Sequence, residues 1–307
     1  MGTQANLTSI VSYPDRGEGG NNKYRGNCSP KLIEDLISHY GIKEINDYMC
    51  GSNTTKDAAT TMGIKANTYD LHSGFDLLNN DIPERSSFTF WHPPYFDIVI
   101  YSDKMYSAAD VKSKYGYDPR DSDLSRIPTW EEFVKAMNYC MIKQFCALDK
   151  GGRMAVLVGD IKKKGKLYSM IFELIKPGTL ENVVIKAQHN YTSASTQYSG
   201  KFIPIVHEYV LLLRKDEPLT FQVLQTKQFK ADMRDMANTT WRDIIADVME
   251  GFHGAASLEQ IYEKVGESKR AMERPYWKDK VRQTLNTYKE LFSSPDRGVW
   301  SLAKYAA

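Results

Sequence analysis

Two short strings in this chain carry residue types that could do chemistry. The first is His92-Pro93-Pro94-Tyr95, which closes the apolar run Ser87-Phe-Thr-Phe-Trp91. Proline lacks the ladder N–H and fixes its own backbone, so the run reads as a buried strand ending in a rigid corner. In an open α/β sheet that edge is where ligands bind. A flat ring held against Tyr95, with His92 and backbone carbonyls at its edge, suits chemistry on a planar amino group. The second string is Asp47-Tyr-Met-Cys50-Gly51-Ser52-Asn53-Thr54-Thr55. It joins a strand at Ile45–Met49 to a helix at about 56–62, and Gly51 allows close backbone approach to a ligand at the helix N-terminus. Neither GxxxxGK[ST] nor three spaced glycines is present, so the loop suits a nucleoside-like ligand without pyrophosphate. Asp70, at the end of the next strand, is placed to accept from ribose hydroxyls. Asp76 follows and could accept from an adenine amino group.

The elements that must hold these residues alternate in type. Ser29-Pro30 starts a helix to about Tyr40, with Leu32, Ile33, Leu36 and Ile37 on one face and Gly41 as its stop. Strands follow at Ile45, at Ala66–Leu71 and at Phe88–Trp91. Thr129 caps a helix carrying Trp130, Phe133, Val134, Met137 and Met141. Gly151-Gly152 leads into a strand at Arg153–Val158, then a helix at about 167–176 and strands at 182–187 and 205–214. This predicts a Rossmann-like α/β sheet, mostly parallel with an antiparallel edge strand. Residues 216–237 read as a linker between a domain at 1–215 and a smaller one at 238–307. In the latter, helices around Trp241, Ile244, Ile245 and Val248, around Leu258 to Val265, and around Trp277 to Tyr288 precede a hairpin ending Val299-Trp300-Ser301-Leu302, the pattern of a winged helix.

Composition narrows the class. The chain is 42% hydrophobic and 25% charged, ordinary values for a globular protein, and no run of about 18 apolar residues predicts a membrane span. Four cysteines without CxxC spacing fit reduced thiols in a cytoplasmic protein, with no metal site expected. Net charge is only +2, but residues 269–289 gather Lys269, Arg270, Arg274, Lys278, Lys280, Arg282 and Lys289. Such a local stripe matters more for phosphate binding than the total does.

Together the spaced strings resemble the S-adenosylmethionine-dependent DNA amino-methyltransferases, above all phage and prophage members. Residues 47–55 are similar to that family's cofactor motif D-x-x-C-G-S-G-T-T, with Asn53 in place of a glycine. Asparagine tolerates the left-handed backbone that position asks for. Arg25-Gly-Asn-Cys-Ser-Pro30 resembles the preceding motif, which closes over the cofactor's methionine end. His92-Pro-Pro-Tyr95 stands where the family has (D/N/S)-P-P-(Y/F/W), with histidine replacing the usual acid, amide or serine. Gly151 to Asp160 and His207 to Leu213 resemble the later strands, so the likeness spans about residues 13–215. Residues 240–303 resemble winged-helix modules of DNA-acting proteins.

The resemblance implies an α/β methyltransferase with S-adenosyl-L-methionine held by Arg25, Gly26, Asn27, Cys28, Asp47, Cys50, Gly51, Ser52, Thr54 and Thr55, beside Asp70 and Asp76. The partner implied is double-stranded DNA, met as monomer or homodimer in a bacterial or phage-infected cell. His92 and the Pro93 carbonyl would accept from the amino hydrogens of a flipped adenine, or of cytosine, while Tyr95 stacks on the base. Only neutral imidazole accepts, so the transfer rate should fall below about pH 6 if His92 keeps its ordinary pKa of roughly 6.5. Lys162, Lys163 and Lys164 form a basic loop for phosphates, His189 and Tyr191 a polar loop near the base, and Lys278, Lys280 and Arg282 a recognition helix. Tyrosines and lysines of the 97–127 stretch suit duplex contact. His207, in an apolar run, is expected to be a satisfied core residue. Rival readings are an RNA methyltransferase on the same scaffold and a DNA-binding protein with an inactive cofactor fold.

Overall fold

A computed structural model describes residues 7–189, 203–227, 231–236 and 239–303. The chain divides into two compact units, Met1–Thr226 and Lys227–Ala307. The first is α/β. Among the described residues its main sheet has seven strands, β1 (Ile10–Ser12), β2 (Glu44–Asp47), β3 (Lys65–Thr68), β4 (Ser86–Trp91), β5 (Leu148–Val158), β6 (Thr179–Ala187) and β7 (His207–Arg214). They lie in the order β1-β6-β7-β5-β4-β2-β3. All neighbours are parallel except β7, which runs antiparallel to both β5 and β6.

Both faces of this sheet are covered, and the strand sequences show why. On β5, Met154, Val156 and Val158 enter one core while Ala155 and Leu157 enter the other. On β7, Leu211 and Leu213 alternate with Val210 and Leu212 in the same way. Successive strand residues point to opposite faces, so a strand covered on both sides must be apolar throughout. Helices α1 (Pro30–Tyr40) and α2 (Thr54–Thr61) supply Leu32, Ile33, Leu36, Ile37, Ala58 and Ala59 to one face. Helix α3 (Trp130–Cys146) supplies Phe133, Met137, Met141 and Phe145 to the other.

The helix starts follow the expected signals. Pro30 opens α1 and Gly41 ends it in the left-handed region at φ 60°. Thr129 caps α3 by accepting from the Glu132 N–H. Two elements differ from expectation. The antiparallel strand is not at the edge: Val210–Leu213 are buried on both faces and β7 is bonded on both sides. The stretch expected as a helix at 167–176 begins as a hairpin, Ile161–Lys163 against Lys166–Tyr168, and keeps only one helical turn, Met170–Glu173. Lys164 and Gly165, both at positive φ, make the tight turn that closes that hairpin.

The second unit has its own core. Helices α4 (Trp241–Gly251), α5 (Leu258–Gly266) and α6 (Trp277–Thr287) pack with a three-stranded antiparallel sheet of β8 (Ala255–Ser257), β9 (Phe292–Asp296) and β10 (Val299–Leu302), with β10 in the middle. Trp241, Ile244, Ile245, Ile261, Val281 and Leu285 are buried there. Ser257 and Gln260 form a reciprocal capping box at the start of α5. Among the described residues no helix is long and apolar enough to cross a membrane.

Candidate active site

The β2–α2 loop is built from buried acceptors below and open donors above. Asp47 is 2% exposed and accepts from the Met49 N–H at 3.0 Å and the Thr55 hydroxyl at 2.5 Å. Burial pushes its carboxyl up to about 7, the Thr55 and Met49 hydrogen bonds opposing and the nearby Asp70 adding. Gly51 at φ 49° and Asn53 at φ 65° turn the loop through the left-handed region, the conformation for which asparagine is a tolerated substitute. A side chain on Gly51 would meet the Tyr24 ring at 3.1 Å. No side chain caps α2, which leaves its first N–H groups to the cleft above. From the end of β3, Asp70 accepts from the Gly51 N–H at 2.9 Å and from the His72 ring at 2.5 Å, tying loop to strand.

These residues line one cleft. Gly26, Asn27, Cys28, Asp47, Cys50, Gly51, Ser52, Thr54, Thr55, Asp70 and Asp76 are all on its wall, with His92 and Pro94 at one end. Phe75, Leu77, Leu78 and Leu124 make its apolar side. Among the described residues lining it there is no lysine or arginine, whereas Asp47, Asp70, Asp76 and Asp123 contribute carboxyl groups. Such a wall opposes a polyphosphate and favours a ligand that is neutral or carries positive charge. Burial pushes the Cys28 thiol up to about 12 and raises Cys50 further, so neither is a thiolate nucleophile. The Asp76 carboxylate is spent locally: it accepts from Leu78 N–H, Asn79 N–H, Asn79 Nδ2 and the Ser122 hydroxyl. Four donors fill its roughly four lone-pair positions, so it braces the wall rather than reaching for an amino group.

His92 stands at the C-terminal end of β4, where this cleft meets a second one. Pro93 is buried, and Phe96 is held at φ 51° by packing against Trp130 and Phe133 at 5.7 and 5.3 Å between ring centroids. The corner is therefore pinned on both sides of Tyr95. A Cβ on Gly159 would lie 2.7 Å from the Tyr95 ring, so only glycine permits that ring position. His92 Nε2 lies 3.1 Å from the Tyr95 hydroxyl, which donates to Glu208 Oε1 at 2.7 Å. Glu208 Oε2 accepts from Lys186 Nζ at 2.7 Å. Burial pushes His92 down to about 4; Glu208 opposes this and Lys186 adds to it. Burial alone would raise Glu208, but Lys186, His92 and the hydrogen bonds from Lys186 and Tyr95 hold it below its ordinary value.

The second cleft is walled by Arg25, Pro93, Tyr95, Lys162, Lys186, His189 and His207, with Asp160 and Glu208 as its acids. Gly26, Asn27, His92 and Tyr101 belong to both clefts. Several expectations are refined here. Arg25 lines the second cleft and not the first. His207 is half-buried and bonded to the Tyr209 hydroxyl at 2.8 Å, so it is satisfied but faces the cleft instead of the core. Lys162 lines the cleft and donates to the Ile203 carbonyl at 2.7 Å, Lys163 pairs with Asp97, and exposed Lys164 sits at the hairpin turn. His189 is bonded to the Ser12 hydroxyl at 2.9 Å; Tyr191 lies outside the described residues. Three tyrosines of the 97–127 stretch, Tyr101, Tyr106 and Tyr117, turn inward, while Tyr115 is exposed. Tyr101 and Tyr106 line the first cleft, and Tyr117 donates to the Leu71 carbonyl, because a buried phenol must find a partner.

In the second unit, Lys278, Lys280 and Arg282 are exposed on α6. Arg282 pairs with Asp279, and Lys278 lies over the Tyr262 and Trp277 rings. Sequence reasoning missed Glu208 and Lys186, and took Tyr101 for a duplex contact where it lines both clefts. For Glu208 a signal existed: a charged residue inside the apolar run 207–213 that must be paired if buried. Among the described residues no group of three His, Cys, Asp or Glu is placed to hold a metal ion. No protein-family model matches the chain, and no curated protein matches it significantly.

Proposed function

We propose that the protein transfers a methyl group from S-adenosyl-L-methionine to the exocyclic amino group of a flipped base in double-stranded DNA, with adenine N6 the favoured target. One observation carries this: an acidic, glycine-floored cleft and a basic cleft meet at the His92 corner. The first fits the cofactor. The Gly51 backbone lines the pocket, α2 offers N–H groups that no side chain caps, the Asp70 carboxylate borders the pocket, and the absence of lysine and arginine among the described lining residues suits a sulfonium in place of phosphates. Gly51, Ser52, Thr54, Thr55, Asp47, Asp70, Cys28 and Asn27 would hold it. When bound, S-adenosylmethionine supplies an electrophilic methyl group whose leaving group is a neutral thioether.

The chain's own residues do the rest. An exocyclic amino group is a poor nucleophile because its lone pair conjugates into the ring. Acceptors on its hydrogens, here the His92 imidazole and the Pro93 carbonyl, draw it toward pyramidal geometry and free that pair. The amino nitrogen would bond the methyl carbon as the carbon–sulfur bond breaks, and the proton it loses would pass to solvent. With its pKa near 4, His92 is neutral and an acceptor throughout the physiological range. Tyr95, with its hydroxyl anchored and its ring fixed over Gly159, offers a preset surface for a base. Much of the rate gain is positioning. Arg25, Lys162 and Lys164 would contact phosphates, and the second unit is read as a winged helix presenting α6 to a groove.

The test is transfer of tritium from labelled cofactor to duplex DNA, followed by base-resolved sequencing of DNA from an expressing host. Label in adenine N6 is expected. Label in cytosine N4 or only in folded RNA redirects the target, and no label with retained DNA binding overturns the enzyme.

A further inference from the structure

The order of donors and acceptors behind His92 fixes more than its position. Glu208 is a carboxylate facing Lys186, so it can only accept. The Tyr95 hydroxyl has one hydrogen and gives it to Glu208. Its oxygen must then accept from His92, so Nε2 carries the imidazole hydrogen. Among the described residues none hydrogen-bonds Nδ1 of His92. Nor is Nδ1 among the buried side-chain atoms that lack a partner, which among the described residues belong to Arg16, Trp91 and Gln144, and His92 lines both clefts.

We infer that Glu208 and Lys186 are positioning residues, which act through Tyr95 to fix His92 as the Nε2–H tautomer and leave Nδ1 as the acceptor for the substrate's amino hydrogens. The tautomer lock stands on the geometry; its use in methyl transfer rests on the function proposed above. The four side chains come from three strands. His92 and Tyr95 follow β4, Glu208 is on β7, and Lys186 is its direct partner on β6. Glu208 and Lys186 are 7% and 8% exposed. A buried ion pair is a weak source of stability, since desolvating two charges offsets most of their attraction. Lys186 needs only one carboxylate oxygen, and the other is turned to Tyr95. A neutral imidazole free to exchange tautomers would present an N–H to the amino group part of the time, and that form repels it.

Histidine-labelled ¹⁵N protein, full-length and ligand-free at pH 7, gives the tautomer directly from long-range proton–nitrogen spectra. His92 is assigned by its loss in His92→Gln. The wild type should show protonated Nε2 and bare Nδ1. Tyr95→Phe and Glu208→Gln should move that pattern toward mixed tautomers. They should also slow single-turnover methyl transfer roughly ten- to a hundredfold, the range seen when a partner that orients a functional histidine is removed. A protonated Nδ1 in the wild type, or an unchanged pattern in Tyr95→Phe, overturns the inference; Tyr95→Phe decides it alone if Glu208→Gln does not fold. The expected pattern in a wild type that transfers no methyl group supports the lock and overturns only the transferase. Methyl transfer with the opposite tautomer does the reverse.

Discussion

The two clefts share one strand end yet are built on opposite principles. The first lies over β2, β3 and β4, the parallel side of the sheet, and among the described residues gathers four aspartates with no lysine or arginine. The second lies toward β5, β6 and β7, where the antiparallel strand enters, and sets Arg25, Lys162 and Lys186 against two acids. Loop backbone and helix N-terminus offer donors to many ligands, so the side chains choose the sign of what binds. His92 lines both, and burial keeps it neutral. A charged group there would favour one ligand at the expense of the other.

The contrast can be broken first at the junction. His92→Ala should lower single-turnover methyl transfer by roughly 10²–10⁴-fold while cofactor affinity, measured by calorimetry, stays within a few-fold. Comparable loss of cofactor binding would mean that the clefts are not separable. Next is the acidic side. The Asp47 carboxyl is raised from 3.8 to about 7, so its ionised form is disfavoured in the fold. That cost is absent below about pH 4, grows toward pH 7 and is constant above it. Asp47→Asn should therefore stabilise the ligand-free protein at pH 8, by something on the order of a few kcal/mol, and barely at pH 4. Thermal unfolding at the two pH values decides this, and a pH-independent effect would refute the assignment.

On the basic side, Lys162→Gln with Lys164→Asn should weaken duplex binding and reduce the salt slope of log K by about one for each phosphate left unneutralised. Asparagine is chosen because position 164 is at φ 50°. Cofactor affinity should not move. The smallest expected change is a flat line. With His92 near 4, the transfer rate should not respond to its titration between pH 8 and 5, and should fall only in more acid solution. A midpoint near 6 that persists in Asp47→Asn would show that His92 is hydrated.

Much of this was legible in the residue order because it depended on local backbone chemistry. Pro30 and Gly41 bound α1, Thr129 and Ser257 cap helices, and Asn53 takes the left-handed turn. The first cleft was legible for the same reason: its floor is one loop and the ends of two neighbouring strands. What escaped depends on residues distant in sequence. Glu208 meets Tyr95 across 113 positions, and nothing in either string announces the other. The internal place of β7 escaped too, since an apolar strand reads alike wherever it is bonded on both sides. His92's depressed pKa follows from packing, which periodicity does not report.

The outermost strand pair has a consequence for synthesis. Ile10 of β1 is paired with Ile185 of β6, and β6 reaches the rest of the sheet only through β7. As the chain leaves the ribosome, β1 waits unpaired while about 175 residues are made. The pair joins the rest of the sheet only after β7, some 20 residues later still, has emerged and docked. Closing so long a loop is slow, and an idle strand edge invites wrong partners meanwhile. Three residues with exposed ends keep that edge short, which limits the hazard during the wait.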